Sequence, residues 1–136
     1  MKSGFFSLWL LLLSGMAMAA QPATWQAVAE AVMQHIDAAE QSYLAGDAKQ
    51  ANRAVVSAYF GVFEDRKMEA AMRMELGARH TYQVERLFGD LRKAIRSGVD
   101  GDEVSAIAES VRLAMRRDAE QLDRAGIPLE VFKVNP

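Results

Sequence analysis

The sequence predicts an all-α domain: an antiparallel up-down-up-down four-helix bundle, with a short extra helix between the second and third long helices. Three observations carry that expectation. Proline occurs only at Pro22, Pro128 and Pro136, so nothing in between breaks a helix. Apolar residues recur at i, i+3 and i+4 in four long stretches, the period of a helix face packed on a core. Those stretches are rich in Ala, Leu, Met, Glu, Gln, Lys and Arg, all good helix formers, and short glycine-bearing links separate most of them.

The first helix starts after Thr24, whose hydroxyl suits an N-cap, and ends near Gly46. Trp25, Val28, Ala29, Val32, Ile36, Ala39 and Tyr43 make its apolar stripe. The second opens at Asp47, with Ala48, Ala51, Val55, Ala58, Tyr59 and Val62 on one face. The tight Ala-Gly-Asp link at 45–47 makes these two an antiparallel hairpin. The stripe then loses its period, which predicts a turn, a short third helix from about Lys67 to Glu75, and a break at Gly77. The fourth helix runs from about Ala78 to Arg96, with His80, Val84, Leu87, Phe88, Leu91 and Ile95 in line. A loop at 97–102 follows, with Asp102 expected as the next N-cap. The last helix reaches about Arg124 through Val104, Ile107, Ala108, Val111, Met115, Asp118 and Leu122, and Gly126 and Pro128 stop it. The only strand-like alternation is the short tail at 127–134.

Residues 1–19 read as a secretory signal peptide. Lys2 is followed by an apolar run from Phe5 to Leu13 and then by Ala17-Met18-Ala19, a small-x-small cleavage pattern. The run is too short for a stable membrane anchor. The expectation is therefore a single helical domain, 20–136, in the periplasm, with no membrane span of its own. The full chain carries a net charge of −2, and loss of Lys2 makes it one unit more acidic. With no basic tail, nucleic acid is not an expected partner. There is no cysteine, which excludes disulfides, covalently attached haem, iron–sulfur clusters and thiolate zinc sites. Any metal would rely on His, carboxylate, Tyr or Met.

Met68, Met72 and Met74 suit either a soft metal or a flexible apolar plug at one end of the bundle, and the plug is the more economical reading. His35 lies at the edge of an apolar face with no second histidine level with it, so no haem is expected. No Glu-x-x-His pair supports a di-metal oxidase centre. Phosphate loops, nucleophile elbows and His-Glu-x-x-His are missing as well, so the chain is not expected to be an enzyme.

Two polar residues interrupt apolar stripes, His80 in the fourth helix and Asp118 in the last. They lie at similar separations before and after the 97–102 loop, so an antiparallel pair brings them level at the far end. That end also receives Tyr59, Glu64 and Glu69. The candidate metal ligands are therefore His80, Asp118, Tyr59, Glu69 and Glu64, for iron or another divalent ion. A plainer reading weighs more: His80 and Asp118 satisfy each other, as buried polar groups usually do.

The stretch Tyr59-Phe60-x-x-Phe63-Glu64, followed by Met68-Glu69, resembles a segment of the extracytoplasmic N-terminal helical domain of the bacterial high-affinity iron permease (iron/lead transporter) family. The resemblance runs from about Val28 to Asp123 and extends to "ERLFGDLRKAI" and "RLAMRRDAEQLD". It implies a role in iron uptake at the outer face of the membrane, with an inner-membrane iron permease or another periplasmic uptake component as partner. The family's transport motif, Arg-Glu-x-x-Glu on membrane helices, has no counterpart in this sequence, so the implied role is delivery, sensing or gating and not conduction. A metal-free interaction module, chaperone-like or sensory, is the reading from a different class.

Overall fold

The structure, a computed structural model, describes residues 23–130 and is all-α, with no strand among them. Residues 1–19, expected to be a signal peptide, lie outside the described residues, as does most of the tail expected to alternate. The part of that tail within them, 127–130, is turn and coil. No helix among the described residues is long and apolar enough to cross a membrane.

Helix α1 spans Trp25–Leu44, and the Thr24 hydroxyl accepts the Ala27 amide at 3.1 Å, as its sequence position suggested. Gly46 takes φ 88°, a left-handed conformation that costs a residue without Cβ little, and reverses the chain. Helix α2, Ala48–Val56, is capped by Asp47, whose side chain accepts the Gln50 amide at 2.9 Å. Ala48, expected in the buried stripe, is exposed in the first turn.

The sequence pattern suggested that the second helix simply continues to Val62. Instead the chain widens after Val56 into a π-helical segment, Ser57–Glu64. The wider turn places one more residue per repeat, which lets Ala58, Val62 and Phe63 all face the core. Tyr59 is left half-buried and Phe60 54 % exposed. A period-3.6 template cannot reveal such a segment. Helix α3, Met68–Glu75, follows Lys67, which sits in the left-handed region at φ 65°. Helix α4, Ala78–Ser97, begins after Gly77 at φ 92°. Helix α5, Gly101–Arg124, is capped by Asp100 and not by Asp102: the Asp100 carboxylate accepts the Asp102 amide at 3.2 Å. Two aspartates two residues apart are equally good caps by composition, and the local backbone decides between them.

Helix α1 packs against α5, α2 and the π segment, α4 against α5, α2 and α3. Polar ties at the ends of the helices set their directions. Asp123, at the end of α5, accepts the Trp25 and Gln26 amides at the start of α1, at 2.8 and 3.1 Å. The Trp25 indole donates to the Ile127 carbonyl at 2.6 Å. At the opposite end of α1 the Tyr43 hydroxyl donates to the Val99 carbonyl. The two helices therefore run antiparallel. Arg92 donates to Asn52 in the middle of α2 at 3.4 Å, and Glu85, earlier in α4, accepts from Tyr59, later than Asn52, at 3.2 Å, so α4 runs antiparallel to α2 and the π segment. The core is one continuous cluster, with Trp25, Phe63 and Phe88 its largest buried side chains. Met68 and Met72 are fully buried within it, filling space as a flexible plug would, whereas Met74 points out and is 56 % exposed.

Candidate functional site

The five residues singled out in the sequence fall into two groups on two sides of α4. The first joins α4 to α5. His80 Nε2 lies 2.8 Å from Asp118 Oδ2. Asp118 is fully buried, and Arg117 closes on the same carboxylate, Nε to Oδ1 at 2.8 Å and Nη2 to Oδ2 at 3.4 Å. An ionised carboxylate only accepts, so the imidazole donates from Nε2. Asp118 holds the Arg117 guanidinium above its ordinary pKa through that hydrogen bond. The carboxylate of Asp118 is thus taken up by two donors, as the plainer sequence reading anticipated. Arg117, adjacent to Asp118 in sequence, completes the group, and an i, i+1 pair is not one that helix periodicity draws attention to.

The second group joins the π segment, α3 and α4. The Tyr59 hydroxyl donates to Glu85 Oε1 at 3.2 Å. Arg73 Nη2 pairs with Glu69 Oε1 in the i, i+4 relation of α3 and reaches Glu85 Oε1 at 3.5 Å. Burial, and then the negative charge of Glu69, push the Glu85 carboxyl above the usual range. Burial and the Glu85 charge push the Tyr59 phenol up to about 12, and the fields of Glu69 and Glu64 add to this. The group is therefore rich in negative charge, and one exposed arginine compensates it in part. Glu64, at the end of the π segment, is exposed and contributes only at long range. Glu85 escaped the sequence reading because it lies off the His80 stripe. Its signal was its position three residues before Phe88, on the side of α4 that meets the aromatic segment.

Four rings back this second group. Tyr59 meets Phe60 edge-on, with centroids 4.8 Å apart, and Phe88 likewise at 5.4 Å. Phe63 and Phe88 stack tilted at 5.2 Å. These contacts fix the direction of the Tyr59 hydroxyl toward α4.

No hydrogen bond or ion pair links the His80 group to the Tyr59 group among the described residues. No cluster of three or more His, Asp or Glu side chains suited to a metal ion occurs among them either. The structure brings together Tyr59, Glu69 and the unforeseen Glu85, and separately His80 and Asp118. No family model matches the chain, and comparison with curated proteins and with solved structures finds no match.

Proposed function

We propose that this chain is an extracytoplasmic accessory protein for the uptake of iron or another divalent metal. In this reading it is an up-down-up-down four-helix bundle that acts by binding a metal ion or an inner-membrane iron permease, and not by catalysis. The packing of α1, α2, α4 and α5, each long helix against two antiparallel neighbours, supports the bundle. The resemblance of Tyr59, Phe60, Phe63, Glu64, Met68 and Glu69 to the permease-associated domain supports the setting.

One observation carries the binding role: the Glu69 and Glu85 carboxyls share a single Arg73 beside the Tyr59 hydroxyl, and Glu85 holds its proton more tightly than an ordinary glutamate. Such a site is short of positive charge. The oxygens of its two carboxylates and of Tyr59 are of the kind that a hard or intermediate cation takes, iron included. The exposed Arg73 would swing away to admit it. His80 and Asp118 belong to this reading only as the separate pair that holds α4 to α5.

The metal-free alternative, an interaction, chaperone-like or sensor bundle, rests on the same Arg73, which already neutralises part of the charge. Anaerobic calorimetric titration with Fe(II), and with Mn(II) as a redox-stable substitute, separates the two. Binding that falls about tenfold or more, or 1.4 kcal/mol, in Glu69→Gln and in Glu85→Gln, but persists in His80→Ala, is the expected result. Absence of binding by the unaltered protein at millimolar metal leaves the metal-free module.

A further inference from the structure

Beside Glu85 lies a cavity of about 140 Å³ between the π segment and α4. Tyr59, Phe60 and Phe88 wall it, with the half-exposed Phe60 ring as its outer lip. Cavities of about 150 Å³ accommodate a molecule the size of benzene. Gly89, in the middle of α4, forms part of the lining. A Cβ built on Gly89 would meet nothing within 4 Å, and its φ is not one that demands glycine. Glycine inside a helix costs stability relative to alanine. Neither backbone geometry nor close packing accounts for that cost here. The missing side chain leaves the cavity open at this point of its lining.

The charges of the lining have opposite signs at its two ends. Glu85 and Arg92 both line it, seven residues apart and therefore on one face of α4, two turns removed. Arg92 uses only Nε, in a long 3.4 Å bond to Asn52, and no hydrogen bond or ion pair engages its terminal nitrogens among the described residues. Neither Glu69 nor Arg73 lines the cavity.

We propose that this cavity binds a small zwitterion, its ammonium group against the aromatic rings and Glu85 and its carboxylate against Arg92. A cation over the face of Tyr or Phe is attracted by the ring quadrupole, and the neighbouring carboxylate adds to that attraction. The planar guanidinium matches a carboxylate in charge and hydrogen-bond geometry. A ligand with only a positive charge meets Arg92 unfavourably, and one with only a negative charge meets Glu85. The inference does not rest on the metal reading, although the two share Glu85.

Calorimetric titration with glycine betaine and γ-aminobutyrate as zwitterions, and with tetramethylammonium and butyrate as single-charge analogues, tests it. At least one zwitterion should bind, and each single-charge analogue at least tenfold more weakly. Gly89→Leu should abolish binding by filling the cavity while circular dichroism and the melting curve keep the helical fold. Phe60→Ala should weaken binding without touching any charge. Glu69→Gln should leave zwitterion binding intact, whatever it does to metal. The proposal is overturned if neither zwitterion binds at millimolar concentration, if tetramethylammonium or butyrate binds as tightly, or if binding survives Gly89→Leu.

Discussion

The imidazole of His80 donates from Nε2 to Oδ2 of Asp118 across 2.8 Å, and so fastens the start of α4 to the end of α5 through a fully buried carboxylate. Arg117, itself about half exposed, supplies the remaining donors. The pair is a structural tie between the two helices.

A double-mutant cycle measures the tie. His80→Ala leaves a buried carboxylate with one donor set, and Asp118→Ala leaves an imidazole and a guanidinium that water can still reach. Urea unfolding of both single variants and the double variant should give a coupling energy of about 1–3 kcal/mol. Additive effects would mean that the two side chains do not interact in solution.

Asp123 acts as a cap supplied by a neighbouring helix. Its two oxygens accept the Trp25 and Gln26 amides, which have no partner within α1. Asp123→Ala should cost about 1–2 kcal/mol, the range of a lost N-cap. Hydrogen exchange should quicken at the first turn of α1 before it does so in the middle of that helix. Unchanged protection at Trp25 and Gln26 would show that the contact contributes nothing.

The Tyr59–Glu85 group sets two pH dependences of the same sign. The Glu85 carboxyl is raised in the fold, so between its unfolded and folded values the native state binds more protons than the unfolded chain. Stability therefore falls as pH rises through that window and returns as pH drops. Glu85→Gln, which keeps an acceptor for Tyr59, should flatten the slope. The Tyr59 phenol, moved from 10.0 to about 12, repeats the behaviour in alkali: stability declines as pH rises from 10 toward 12. Phenolate absorbance should show a late-titrating step that vanishes in Tyr59→Phe. A slope that persists in Glu85→Gln assigns the acid-side effect to another group.

The sequence by itself determined the helices and most of their limits. Thr24, Gly46, Asp47, Gly77 and Gly126 act through local capping and backbone geometry, and the buried faces of α1, α4 and α5 follow from the 3.6-residue period. It also placed His80 opposite Asp118, because an antiparallel pair with a short link has only one register. Tertiary structure decided the rest. The π segment at Ser57–Glu64 arises where packing Ala58, Val62 and Phe63 against one core outweighs the α-helical hydrogen-bond pattern, a balance that no local propensity records. The separation of His80 and Asp118 from Tyr59 and Glu69 depends on which side of α4 each neighbour takes. The meeting of Tyr59 with Glu85, and of Trp25 with Asp123, depends on contacts 26 and 98 residues apart in the chain. Capping and periodicity are short-range and can be read residue by residue; the charge balance of a site is the sum of groups that only the packed helices bring together.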